Sequence, residues 1–242
     1  MPVSVDKAEE LVPYRPLDPG RLKITGTASW DPSPYLGDDL WMAFQEPASL
    51  LWSYELPDED FPDLSKEDYS RVLELVKIWD VKNLVRFKQV EKGASWQRDG
   101  NIRFFNCYKS IDADRMIGDR RIRNWREGRL PGVSRALPSA VALSVLEIDP
   151  LKQRFSISIS DRKDFYHQFA VSPPRAWSNA LWPPLELDDV RALLAGKRFA
   201  EELEKTKKRR YNRNVVGDHL GGTGSGEVEG HLVQACFSAI PQ

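Results

Sequence analysis

The chain has 242 residues, 41% of them apolar and 29% charged, which suits one large soluble domain or two small ones. No apolar run approaches the roughly 18 residues of a membrane span, and the acidic N-terminus lacks the apolar stretch of a secretory signal. Cys107 and Cys236 have no CxxC spacing and only three histidines accompany them, which argues against a disulfide framework or a zinc site and fits an intracellular, reducing setting in cytoplasm or nucleus.

The net charge of −1 hides a strong asymmetry. Residues 1–80 hold 7 Lys/Arg against 17 Asp/Glu, residues 81–135 hold 14 against 6, and residues 136–242 hold 14 against 13. The basic middle block is interleaved with Phe87, Trp96, Phe104, Phe105, Tyr108 and Trp125. Such a block suits a surface facing a polyanion, and equally a solvated basic surface that offsets the acidic N-terminal part.

In chain order, the first 64 residues are rich in Pro and acidic side chains, with Trp30, Trp41 and Trp52 scattered among them. They read as loops with short ordered pieces lying across the body. Ser65 and Asp68 form a capping box, and Tyr69, Val72, Leu73, Val76 and Trp79 make the apolar stripe of a core helix. Residues 84–109 read as β-structure: LVRFKQV alternates, QRDGN is a turn, and IRFFNCYK is a second run. After the polar turn SIDAD comes a further strand, RMIGDRR. LPSAVALSVLEI is predicted to be helical, and FSISIS (155–160) has the period of a strand ending at Asp161. A further helix is expected to open near Asp188–Asp189, with Val190, Leu193, Leu194 and Leu203 apolar. Its basic end, KTKKRRYNR, suits either a solvated helix end or a nucleic-acid or nuclear-import patch. GGTGSGEVEG reads as a flexible linker, and HLVQACFSAIPQ as an apolar strand.

The segment FSISISDRKDFYHQFAV carries the chemistry. Templated phosphoryl transfer needs carboxylates at fixed strand ends to clamp two divalent ions roughly 3.5–4 Å apart. Magnesium prefers oxygen ligands, which a chain rich in Asp and poor in His and Cys supplies. The run resembles motif A of retroviral and retrotransposon reverse transcriptases: Asp161, Asp164 and Tyr166-His167-Gln168 stand in that register. The resemblance implies Asp161 as catalytic residue and Mg2+ ligand. It implies Asp164, Phe165, Tyr166 and Gln168 at the nucleotide, with the Tyr166 ring filling the space of a 2′-hydroxyl.

Upstream, RMIGDRRIRN resembles the fingers motif of the same family, read as a strand opened by Arg and closed by Asn. That implies Arg115 as the triphosphate-binding arginine, Asp119, Arg121 and Asn124 as its supports, and Lys109 as a second phosphate contact. Leu137-Pro138-Ser139 stands where the family has its Leu-Pro before a helix. The fold implied is α+β, an incomplete right-hand polymerase. It would comprise an acidic region 1–80, a fingers-like region 81–135, and a partial palm 136–242 with a charged insertion at 185–230.

The family continues with a motif B opening Pro-Gln-Gly, and the sequence reaches Pro241-Gln242. Its motif C, an Asp-Asp hairpin, matches neither Asp38–Asp39, which precedes the fingers, nor Asp188–Asp189, which opens a helix. The implied activity is RNA-directed DNA polymerisation on a template-primer with deoxynucleotides, expected to be silent in this stretch alone. The other readings are a non-catalytic nucleic-acid-binding remnant of a retroelement and a structural protein whose acidic N-terminus docks a partner. Oligomeric state leaves no mark in the sequence.

Overall fold

The computed structural model of the chain describes residues 15–52, 67–90, 93–95, 100–128, 145, 147–149, 151–154, 156, 158, 160, 165–217 and 232–237. Residues 15–52 are short pieces strung across the body, as their composition suggests. The Asp18 carboxylate accepts from the Gly20 N–H at 3.2 Å and opens a 3-10 turn, Pro19–Arg21. Pro presets such a turn, since its fixed φ suits the first position. A second turn, Ser33–Tyr35, leads to helix α1, Asp38–Gln45, whose first turn carries Asp38 and Asp39 where the helix dipole favours negative charge.

Helix α2, Tyr69–Val81, buries Val72, Leu75, Val76 and Trp79 on one face. Its cap is Asp68, whose carboxylate accepts from the Ser70 and Arg71 N–H groups at 2.8 and 3.4 Å. Ser65, the other half of the expected capping box, lies outside the described residues, and Asp68 itself caps the first turn. Asn83, at φ 56°, turns the chain out of α2, and strand β1, Val85–Gln89, follows with Val85 and Phe87 buried and Arg86 exposed. Asn tolerates this left-handed conformation better than most residues.

Strands β2, Arg103–Ser110, and β3, Ala113–Asp119, form an antiparallel hairpin in register Arg103↔Asp119, Phe105↔Ile117 and Cys107↔Arg115. The expected strand through Asn124 is corrected: β3 stops at Asp119, and Arg121–Arg126 form helix α3. Arg121 and Asn124 therefore stand on a helix. The Asp119 carboxylate accepts from the Arg121 N–H at 3.2 Å at that boundary, a local bond that favours a turn over continued strand.

Farther on come α4, Phe165–Gln168; α5, Pro173–Trp177, capped by Ser172; β4, Leu185–Glu186; and α6, Leu187–Val190. Asp188 and Asp189 occupy the first turn of α6, as expected, and Tyr69 donates its hydroxyl proton to Asp189. The single helix expected from there is broken at residues 191–193, and α7 runs Leu194–Gly217. Asp80 explains the restart, since its carboxylate accepts from the Leu194 and Ala195 N–H groups at 2.8 Å each. Asp80→Ala is expected to cost about 1–2 kcal/mol by orphaning both donors, read as a lower urea midpoint with unchanged slope.

Strand β5, Leu232–Phe237, is the centre of a three-stranded antiparallel sheet in the order β1-β5-β4, with Val85↔Phe237, Phe87↔Ala235 and Leu185↔Val233 paired. Of the expected strand HLVQACFSAIPQ, residues 232–237 are thus paired on both sides, and the rest lies outside the described residues. Trp79, Phe104 and Phe237 meet ring to ring at 4.6–5.3 Å and join α2, the hairpin and this sheet in one core. The class is α+β. Among the described residues no helix is long and apolar enough to cross a membrane. The predicted helix at LPSAVALSVLEI lies outside the described residues apart from Val145, Glu147 and Ile148, none of which is helical. Of FSISIS, only the serines are described, all exposed and in no strand.

Candidate functional site

Alternation along the hairpin sorts its side chains between two faces. Phe104, Asn106, Asp114 and Met116 point inward and are buried. Arg103, Phe105, Cys107, Arg115 and Ile117 share the outer face by register. Lys109 sits at the irregularity between Tyr108 and Ser110, near the tip, and is exposed. Among the described residues neither Arg115 nor Lys109 takes part in an ion pair, so two cations stand on the outer face and tip of a rigid hairpin.

The rigidity comes from the inner face. Asp114 is fully buried at its side chain, and Arg21 donates to it from Nε at 2.9 Å and from Nη2 at 3.2 Å. Asn106 Nδ2 donates to the same carboxylate at 3.1 Å and to the Asp18 carbonyl at 2.9 Å, while Arg15 stands 3.6 Å away. Burial alone would raise the Asp114 carboxyl, but the hydrogen bonds from Arg21 and Asn106 and the charge of Arg15 hold it below its ordinary value. Residues 15–22 are thereby clamped to the back of the hairpin.

At the foot of the hairpin, Arg121 grips Asp119 through two bonds, Nε to Oδ1 at 3.0 Å and Nη2 to Oδ2 at 2.9 Å. This forked geometry is the strong form of an Arg–carboxylate pair. Burial would raise Asp119, and the Arg121 hydrogen bonds outweigh it and lower the carboxyl. Asn124 is exposed one turn on, its N–H donating to the Arg120 carbonyl at 2.7 Å.

Phe165 and Tyr166 lie on α4, about half exposed, with Phe165 edge-on to both Tyr166 and Phe169. The Gln168 carbonyl accepts from the Trp30 N–H at 2.9 Å, and the His167 carbonyl from the Ala28 N–H at 2.8 Å. A Cβ on Gly26 would fall 2.3 Å from the His167 Cβ, so only glycine lets residues 26–30 lie this close to α4. Lys109, Arg115, Asp119, Arg121 and Asn124 thus share one hairpin and its following helix, while Phe165, Tyr166 and Gln168 stand on a separate element. Asp161 and Asp164 lie outside the described residues. Among the described residues no group of three or more His, Cys, Asp or Glu stands together to hold a metal ion.

Sequence reasoning missed Asp114 and its partners, although an acidic residue at an inward position of an alternating strand marks a buried charge in need of a counter-ion. It missed equally the cluster in which Arg120, Arg123 and Arg175 converge on Glu127. Compared with family models, curated proteins and solved structures, the chain finds no match in any of the three.

Proposed function

We propose that the chain is a reverse-transcriptase-like domain in which the β2–β3 hairpin serves as the fingers, Arg115 and Lys109 taking the phosphates of an incoming deoxynucleotide. The observation that carries this reading is the hairpin itself, with Arg115 on its outer face in no ion pair among the described residues and the Asp119–Arg121 fork beneath it. A planar guanidinium without a protein carboxylate keeps its donors available for phosphate oxygens. In the same reading Asp161 is a ligand of Mg2+, and the exposed Tyr166 ring meets the sugar. Magnesium would supply charge neutralisation at the transferring phosphate.

The test is equilibrium binding of dTTP with magnesium. Arg115→Ala is expected to weaken it about tenfold, the loss of one charge-assisted contact, while Arg86→Ala on β1 leaves it unchanged. Equal affinity in wild type and the Arg115 variant removes Arg115 from the nucleotide. A chain that binds oligonucleotide but no dTTP is instead the non-catalytic nucleic-acid-binding module.

A further inference from the structure

Two cavities beside the core differ in how their charges are met. The larger, about 920 Å³, holds Arg15, Arg21, Arg71 and Arg103. Each of these is paired: Arg15 and Arg21 with Asp114, Arg71 with Asp18, Arg103 with Glu67. Its charges are satisfied within the protein.

The smaller, about 330 Å³, opens between β1, α5 and the first turns of α7. Its walls are apolar. Phe87 and Phe199 are buried and edge-on, their centroids 6.5 Å apart, and Pro173 and Trp177 complete the lining with them. The Trp177 indole is 45% exposed and makes no ring contact among the described residues, so an aromatic face is left bare beside the cavity. The polar lining is charged and unmet. Arg198 and Glu202 stand four residues apart on α7, a spacing at which opposite charges commonly pair. Among the described residues neither is in an ion pair, with the other or with any third group. Arg198 reaches only the Asn83 side-chain oxygen, at 3.5 Å. Arg86, which also lines the cavity, is likewise in no ion pair among the described residues. Apolar walls with a few polar groups left to fix orientation are the usual make-up of a small-molecule site.

We infer that this cavity binds a free α-amino acid with an aromatic side chain. The ring lies among Phe87, Trp177 and Phe199, the carboxylate on Arg198 and the ammonium on Glu202. Size sets the class first: about 330 Å³ stands at the small end of ligand pockets, room for a single-ring molecule. Ring geometry agrees, since aromatic groups favour edge-on and offset contacts, and Phe87 and Phe199 already meet at 67°. Charge then selects the head group. A guanidinium offers a carboxylate two parallel hydrogen bonds, and an ammonium donates to a carboxylate such as Glu202. Glu202 also repels a polyanion, whereas Arg86 adds a further positive charge that disfavours a bare amine. The cavity shares no residue with the β2–β3 hairpin, so its ligand is independent of the nucleotide contacts proposed there.

The test is titration calorimetry on the full chain with L-phenylalanine, with 3-phenylpropionate, which lacks the ammonium, and with phenethylamine, which lacks the carboxylate. Phenylalanine is expected to bind, and each of the other two about tenfold more weakly or worse. Arg198→Gln should weaken phenylalanine about tenfold. Glu202→Gln should weaken it by a similar factor and leave 3-phenylpropionate unchanged or tighter. Both side chains are exposed, so the fold should survive either change, as thermal melting will show. Lys197→Gln removes an exposed cation one residue before Arg198 that does not line the cavity, and should alter nothing. No binding of phenylalanine at millimolar concentration overturns the site, as does a folded Arg198→Gln variant with wild-type affinity. Equal affinity for 3-phenylpropionate and phenylalanine overturns the amino acid as the ligand class. Displacement of bound phenylalanine by dTTP with magnesium would mean one shared site and overturns the assignment to this cavity.

Discussion

Trp79→Ala is expected to lower the stability of the fold by about 3–5 kcal/mol, the largest loss any single side chain here should produce. Trp79 is fully buried, and its ring centroid lies 4.9 Å from that of Phe104 on the hairpin and 4.6 Å from that of Phe237 on the central strand. Alanine would leave a void where helix, hairpin and sheet meet, and a well-packed interior collapses only partly into such a space. Trp79→Phe is the informative control. The indole Nε1 is buried with no hydrogen-bond partner among the described residues, so phenylalanine gives up no bond and fills most of the volume. Urea unfolding of both variants, followed by circular dichroism, should show a loss for Phe well under half that for Ala. Equal losses would mean that the indole N–H, not the ring volume, supports the core.

The second large effect belongs to Asp114. Asp114→Ala is expected to cost about 2–3 kcal/mol near neutral pH, because Asn106 and two arginines lose their shared acceptor. The figure sits at the lower end for a buried pair, since Arg15 and Arg21 are 25% and 32% exposed and water offsets part of the loss. The pH dependence has a definite sign. The folded carboxyl lies below its ordinary 3.8, so its stabilisation is fully present above that value and is lost as pH falls through the lower, folded one. Denaturation midpoints measured between about pH 5 and pH 2 should therefore fall more steeply for the wild type than for the variant. Parallel curves would show that the Arg21–Asp114 contact contributes nothing to stability.

Local pattern made much of the fold legible. The stripe from Tyr69 to Trp79, the alternation in VRFKQ and the aromatic run before the SIDAD turn each report burial on one face, and one face is what periodicity encodes. Leu75 completes the α2 stripe, three residues after Val72 and four before Trp79, at a spacing the same periodicity covers. Partners are a different matter. Nothing in residues 85–89 announces that their neighbour is 232–237, because strand pairing is chosen by the whole core. The helix at Arg121–Arg126 was hidden by the resemblance to a strand motif, when Asp119 already supplied the acceptor that turns the chain. In the candidate site, Lys109 and Arg115 came from the resemblance alone, and the hairpin places both among its exposed side chains. The cluster around Glu127 was not legible, because Arg175 arrives from a distant segment.

The place of β5 also bears on how the chain comes off the ribosome. The central strand of the three-stranded sheet comes last among the described strands, so β1 and β4 are synthesised well before either has this partner. Until residues 232–237 emerge, Phe87, Leu185 and the Trp79 ring lack the strand that covers them, and two strand edges stay open. Pairing across nearly 150 residues forms late, because a long loop must close before any contact compensates its entropy. The nascent protein therefore passes through a stage with apolar surface and free strand edges exposed together, the combination that invites aggregation and chaperone capture.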